Sequence, residues 1–487
     1  MARADESSHV GRWWLPSAPE RRVSGAVYSD SGPVELRLDE PLREYPMSAR
    51  GWEGPEFRSV RLPAIFGQTR DGRKVTLLNV RGENLVGPFE RSQEEYLATA
   101  LILDAHTPED KFTHAIAEFD WLDAWLDPPS ITGEKSAGVL PVHVGRTEHA
   151  TLVIESDAVT LASKVVGTSG GGSVHLDRFS VLEVEFCQPV GIESLVDARI
   201  RPFQDLLTVA LGRPVQLTWL GLRPATAESG TQFCEARFNG TAVSFGRQGS
   251  GNRSAVAIQS YSAPTLFWAR DAGTLLPQII QKWYELRARE REAVTLAVGP
   301  YYAPFIYQEH KLASSMQAVE ALHTKSRFGS DAHRDLDRPD HTKRVERIVA
   351  ILRTAGNDEV PRDEIDWVER ILKNRNDRPF RQRVEDVIRS TGAVGDCILK
   401  ASPDFAAIAV FFRNGVSHGG ARNKPSGDSV DRFWYGELIQ WVVRSRLLMD
   451  AGVPGVSERA ASRTGLQFAV EQVAKIDDPR KASPTRP

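Results

Sequence analysis

FFRNGVSHGG, residues 411–420, decides how the C-terminal half of this chain is read. An apolar run ends there, and an arginine, an asparagine, a histidine and three glycines follow within a few residues. Arg413 and His418 are five residues apart. On an unbroken helix that separation turns them roughly 140° from each other, almost to opposite faces. Glycine is poor inside a helix and favoured just past its end, where the chain turns left-handed. Asn414-Gly415 therefore predicts that a helix over 403–414 stops at this pair and that the next residues fold back, bringing His418 towards Arg413. GGARNKPSGD then continues as loop as far as Ser429.

Working outward, nearly everything beyond residue 304 has helical spacing. Candidate helices cover 305–327, 340–354, 362–373, 381–390, 403–414 and 429–450, joined by short polar connections, the pattern of a helical bundle. The bundle is expected over 305–465. The polar, Pro-containing residues at the end of the chain predict a disordered tail over 466–487. GPYYAP, residues 299–304, reads as a break and linker. The segment AGTLLPQIIQKWYELRAREREAVTLAV before it is helical in spacing apart from an early Pro277.

Upstream the period changes. VSGAVYS, VELRL, KVTLLNV, YLATALILDA, HATLVIES, AVTLASKVV and SVLEVEFCQ alternate apolar and polar residues or are rich in β-branched ones, with Gly, Pro, Asn and Asp between them. Many short strands joined by turns imply a sandwich or barrel. GIESLVDARIRPFQDLLTVALG, residues 191–212, is amphipathic and is expected to pack as a helix on an open face or end of the sheets. The fold class is thus α+β, a β-rich, sandwich-like domain over 1–298 followed by an all-α bundle.

Composition sets limits on function. The 487 residues are too many for one ordinary core. With 61 Lys and Arg against 64 Asp and Glu, the net charge is −3, so any polyanion site must be local. The three cysteines lie far apart and form no CxxC, which excludes a zinc knuckle and fits a reducing compartment. MARADESSHVGRWW has no signal-type apolar core, and no stretch approaches the roughly 18 apolar residues of a membrane helix. A cytoplasmic protein without membrane association is expected.

Several motifs have plainer explanations. GTSGG, residues 167–171, matches the GxSxG nucleophile elbow, but strand-like sequence follows it where the elbow needs a helix, so it reads as a hairpin loop. DAHRDLDRPDH, residues 331–341, gathers carboxylates and histidines in neither HExxH nor EF-hand spacing and reads as a solvated loop between helices. His106 and His114 are expected on or beside strands, and Trp13, Trp14, Trp121 and Trp125 in the core. No metal and no cofactor is expected. Glu183 and Glu185 share a strand face and illustrate a carbohydrate-directed alternative for the β-rich half.

An arginine and a histidine at one helix end suit RNA chemistry. Histidine takes or gives a proton near neutrality, and arginine forks onto phosphate. Equally, an arginine near a helix C-terminus is favoured by the macrodipole, and the histidine beyond it then serves as a simple cap. LASSMQAVEALH adds a further element: Leu312, Met316, Glu320 and His323 fall on one helical stripe, and a carboxylate there calls for a partner. Arg413 is the candidate partner. Glu320 either orients Arg413 or forms a structural ion pair with it, and both readings stand.

RNGVSH, ending an apolar helix in a C-terminal bundle, resembles the Arg-x4–6-His signature of HEPN domains, including the asparagine directly after the arginine. LASSMQAVEALH resembles the first long HEPN helix. GRWWLP, VSGAVYSDSGPVELRL, IFGQTRDGRKVTLLNV and FTHAIAEFDWLDAWL are similar in order and spacing to the N-terminal domain of ApeA-type HEPN proteins, so the resemblance spans nearly the whole chain. It implies a metal-independent endoribonuclease acting in anti-phage abortive infection, with Arg413 and His418 catalytic and Asn414 and Glu320 in support. It further implies RNA such as tRNA as substrate, a cyclic phosphate product, a homodimer or larger homo-oligomer through the bundle, and a β-rich domain that regulates the site in response to an unidentified phage trigger. The alternatives are a non-catalytic HEPN scaffold or a carbohydrate-binding protein.

Overall fold

The structure is a computed structural model that describes residues 8–29, 33–42, 56–86, 94–126, 146–170, 173–226, 233–238, 265–303, 307–325, 334–355, 360–418 and 429–477. The chain divides into two compact units. One comprises Met1–Leu207, Val215–Tyr261 and Trp268–Gln281, and the other Thr208–Pro214, Ser262–Phe267 and Lys282–Pro487.

The first unit is β-rich. Its described strands are β1 (Ser8–Trp14), β2 (Val23–Tyr28), β3 (Val34–Leu38), β4 (Glu56–Thr69), β5 (Lys74–Val86), β6 (Glu94–Leu103), β7 (Phe112–Phe119), β8 (Arg146–Ile154), β9 (Asp157–Gly170), β10 (Ser173–Val190), β11 (Leu217–Pro224) and β12 (Cys234–Phe238). They hydrogen-bond in the order β3-β2-β1-β4-β5-β6-β12-β11-β7-β10-β9-β8, and β3 also pairs with β6. That extra pairing, Val34↔Ala98 through Leu38↔Glu94, closes the first six strands into an antiparallel barrel. The β-rich half therefore takes the barrel form, extended by further strands. Closure follows from alternation: Val23 and Val27 on β2, Val34, Leu36 and Leu38 on β3, and Tyr96 and Ala98 on β6 all point inward and are buried. Trp13 is part of this core and lies over Gly67, where a Cβ would collide with the indole.

Beyond the barrel, β11, β7, β10, β9 and β8 continue the sheet. The expected amphipathic segment forms α2 (Ile192–Leu195), a π-helical turn and α3 (Arg201–Leu211). Phe203 sits 5.7 Å from Phe119 of β7 and 6.1 Å from Trp125 of α1 (Leu122–Leu126), so the helix covers a sheet face. Trp13, Trp14 and Trp125 are buried. The GxSxG look-alike is strand and hairpin, with Ser169 paired opposite Val174. Glu183 pairs with Lys164 and Arg146, and Glu185 lies 3.6 Å from His114. These glutamates are engaged across strands.

The described helices continue as α4 (Ala269–Ala272) and α5 (Leu276–Arg289), then α6 (Arg291–Tyr302), α7 (Gln308–Lys325), α8 (Arg338–Ala355), α9 (Arg362–Lys373), α10 (Phe380–Arg389), α11 (Ala393–Ala401), α12 (Phe405–His418), α13 (Ser429–Asp450), α14 (Val456–Ala461) and α15 (Thr464–Ile476). α7 is the hub of the helical unit, packed by α6, α10, α12 and α13. Its Leu312, Met316, Val319 and Leu322 are fully buried. α8 and α9 form a hairpin with its own small core of Val345, Val349 and Ile365. Asn376 ties the base of that hairpin by exchanging hydrogen bonds with the backbone of Leu336.

Three expectations require correction. The helix expected to stop at Asn414-Gly415 runs on to His418. One glycine costs a helix only about 1 kcal/mol, and packing of the preceding apolar turns, with Phe405 and Ala409 fully buried, exceeds that penalty. The sequence break at 299–304 leaves α6 intact through Gly299 and Pro300. The tail expected to be disordered from 466 contains α15, because Leu466, Ala469 and Val473 form a buried stripe at helical spacing. Residues 478–487 lie outside the described residues, as do 331–333 of the Asp/His-rich loop.

Candidate active site

Three helices of the second unit bring charged side chains to one point. α7 contributes Glu320, one residue past the buried Val319, at the margin of its apolar stripe; its side chain is 35% exposed. α10 contributes Phe380 and Arg383, which share a face at i,i+3. α12 contributes Arg413, following the buried Phe412. Nη1 of Arg383 lies 2.9 Å from Oε1 of Glu320 in an ion pair, while Nη2 of Arg413 lies 4.0 Å from the other oxygen, Oε2. Both guanidinium groups approach the ring of Phe380, at 5.3 and 5.2 Å from its centroid. Arg413 also donates from Nη1 to Oδ1 of Asn414 at 3.3 Å.

One carboxylate is thus shared unequally by two arginines. Arg383 makes a close ion pair. Arg413 is at the outer limit of an ion pair, too distant for a hydrogen bond, with one face against an aromatic ring. Its position is defined, and much of its donor capacity remains for an incoming anion. The structure brings together Glu320, Arg413 and Asn414 in this way. His418 ends the same helix, and the side chains beyond Asn414 lie outside the described residues. On the continuous backbone the two signature positions are separated by roughly 140° of rotation and about 7.5 Å of rise, so a fold-back at Gly415 does not bring them together.

Sequence reading missed Arg383 and Phe380 as site residues. The signal available in the sequence is a run of basic residues, Lys373, Arg375, Arg378, Arg381 and Arg383. Most of the run is engaged with acids: Lys373 with Glu369, Arg378 with Asp386, Arg381 with Asp404, and Arg383 with Glu320. His323, on the same stripe as Glu320, is fully buried and has Nε2 3.1 Å from Oδ2 of Asp386, the oxygen that Arg378 also engages. Burial lowers the His323 pKa, with the Asp386 hydrogen bond opposing the shift, so this imidazole is neutral and joins α7 to α10.

A groove of about 870 Å³ opens beside Glu320 and Arg413. Its other wall comes from the end of α5 and the start of α6, including Arg289, Arg291 and Thr295, with Gln317 of α7 between the walls.

The helical residues 313–455 match the model of the Apea-like HEPN family, and residues 8–283 match that of ApeA N-terminal domain 1. The chain belongs to the ApeA family. No curated protein and no solved structure matches it. ApeA membership fits the architecture, a β-rich unit followed by a HEPN helical bundle whose matched span contains Glu320, Arg383, Arg413 and His418. At family level it supports a nuclease-type, RNA-related role in anti-phage defence. Among the described residues no helix is long and apolar enough to cross a membrane.

Proposed function

We propose that this ApeA-family chain is a metal-independent endoribonuclease whose site is built on Arg413 and His418. The observation that supports this most directly is the guanidinium of Arg413, placed beside Glu320 and Phe380 at a groove yet open to an anion. The reaction needs no group beyond side chains of these types. An imidazole takes the proton from the ribose 2′-hydroxyl as O2′ forms its bond to phosphorus. The bond from phosphorus to the 5′-oxygen breaks, and a protonated imidazole supplies the proton to that leaving oxygen. The products are a 2′,3′-cyclic phosphate and a 5′-hydroxyl. Arg413 stabilises the charge that develops on the phosphate oxygens, a contribution of about 10²–10³-fold for one well-placed donor. Acid–base help adds about 10²–10⁴-fold.

Two imidazoles are needed, one as base and one as acid, and each chain offers one His418. The 140° separation along a continuous α12 adds to this requirement, because the histidine facing a phosphate held by Arg413 is then best supplied by a second copy. We therefore assign the active form to a homodimer or larger homo-oligomer formed through the helical unit. The β-rich unit acts as the regulator that keeps the site idle until a phage product is present, as an enzyme that cuts the host's RNA, tRNA included, requires.

The test compares wild type with Arg413→Ala and His418→Ala on total RNA, with and without EDTA. Cleavage by wild type under both conditions, with loss of at least 10²-fold in each variant at unchanged helical content, supports the proposal. Loss of wild-type activity on chelation refutes the metal-independent mechanism. Wild type that never cuts RNA, with or without a phage lysate as trigger, favours a non-catalytic scaffold. Mixed oligomers of Arg413→Ala and His418→Ala chains test the composite site: partial recovery of activity on mixing is expected if two copies complete it.

A further inference from the structure

Residues 284–312 fall between the two family matches, so neither family model accounts for them. Of these, Ala288, Arg289, Arg291, Glu292, Thr295 and Leu296 line the same groove as Glu320 and Arg413. At the junction of α5 and α6, Arg289 and Arg291 flank Glu290 and both line the groove. Glu290 has no exposed side-chain surface, and its Oε1 receives a hydrogen bond from Nε of Arg289 at 3.1 Å. A buried carboxylate cannot wander, so it orients the arginine that it holds. The Arg289 side chain itself is 59% exposed. Arg291 is exposed and pairs with no carboxylate among the described residues. On the opposite side Arg413 is held loosely.

The groove therefore presents three guanidinium groups. Its acids are Glu292 and Glu320, and Glu320 is already engaged in the close ion pair with Arg383. The volume of about 870 Å³ is that of a ligand pocket, roughly 300–1,000 Å³. This suits a short stretch of single strand rather than a duplex. Fixed cations spaced along such a groove bind successive phosphates and do not read bases.

We propose that this groove is the track along which a single-stranded stretch of RNA reaches Arg413, with Arg289 and Arg291 binding phosphates away from the linkage that is cut. The proposal rests on the ribonuclease reading above and assigns to Arg289 and Arg291 a binding role with no part in proton transfer.

The test uses the full chain in a His418→Ala background, so that RNA is not cut during the measurement. Binding of a fluorescein-labelled single-stranded oligoribonucleotide is followed by anisotropy from 50 to 300 mM salt. Adding Arg289→Ala and Arg291→Ala together should weaken binding by roughly 3- to 30-fold at low salt. It should also make the slope of log K against log salt shallower by about 1.4, two phosphate contacts at 0.7 each for a single strand. The oligodeoxyribonucleotide of the same sequence should lose the same factor, because phosphates are common to both. A charge-matched control, Arg338→Ala with Arg347→Ala on α8, should leave affinity and slope as they were.

Unchanged affinity and slope in the groove variant, equal losses in the control pair, or no binding by the parent protein each overturn the proposal. Cleavage is then compared in the His418-containing protein, where the groove variant should show a raised KM and a retained kcat. If wild type binds RNA through the groove but never cuts it, the ribonuclease reading fails while the groove stands. If it cuts with KM unaltered in the groove variant, the groove fails while the ribonuclease reading stands.

Discussion

Glu320→Gln separates an orienting carboxylate from a purely structural one. The substitution keeps the size and one oxygen acceptor within reach of Arg383, while Arg413 loses the charge that holds it. Two unit charges at the observed 4.0 Å attract by about 1 kcal/mol in water and about 4 kcal/mol at an effective dielectric of 20. With Glu320 35% and Arg413 25% exposed, the interaction belongs near the lower limit. Arg383 already neutralises part of the carboxylate, so roughly 1–2 kcal/mol of positioning is at stake. At 1.36 kcal/mol per tenfold, kcat should fall by roughly 5- to 30-fold. Weakening the partly exposed Arg383 pair should lower folding stability by no more than about 1 kcal/mol. Single-turnover cleavage with saturating enzyme and a denaturant midpoint on the same preparations measure both quantities. An unchanged rate constant alongside lowered stability refutes the orienting role and leaves Glu320 as a structural ion pair.

The remaining predictions concern what holds the helical unit together. Met316 is fully buried in α7, so Met316→Ala should cost about 2–5 kcal/mol, read from the urea midpoint. Gly212 has φ +67°, and a Cβ there would strike the guanidinium of Arg444, itself only 2% exposed, so Gly212→Ala should destabilise by about 2–4 kcal/mol and lower the melting temperature. His323 has its pKa lowered by burial, so the unfolded chain takes up a proton near pH 6.5 that the folded chain refuses. Its contribution is present above pH 6.5 and is lost as pH falls towards the lower folded value. The midpoint should therefore drop between pH 7 and pH 5, and His323→Phe should flatten that drop even though it removes the contact with Asp386.

Particular residues show how far reading the chain reaches. The β-rich half was legible because Val23, Val27, Val34, Leu36 and Leu38 alternate with polar neighbours, and period-2 burial is a local property. That it closes as a barrel depends on Val34–Leu38 meeting Glu94–Ala98, a pairing across about sixty residues that no local pattern specifies. The bundle helices were legible from their spacing. α11 was missed because it is short and follows Gly392, a residue with the φ of +59° usually found where helices end. α15 was missed because a polar terminus masks three apolar residues that become a stripe only against α11 and α13.

At the candidate site, sequence by itself determined the residue types: an arginine, an asparagine and a histidine ending an apolar helix, and a glutamate on a helical stripe. A carboxylate on an apolar face must find a cation, and that much follows from solvation energy alone. Which cation it finds, and how closely, was decided only by tertiary structure. Packing of α10 against α7 placed Arg383 nearer to Glu320 than Arg413 and set Phe380 beside both guanidinium groups. The continuity of α12 through Gly415 was likewise a tertiary outcome, because burial of the preceding turns outweighs the local preference of one glycine. Local chemistry is written residue by residue, whereas competition among partners is settled by distances that exist only once the helices have packed.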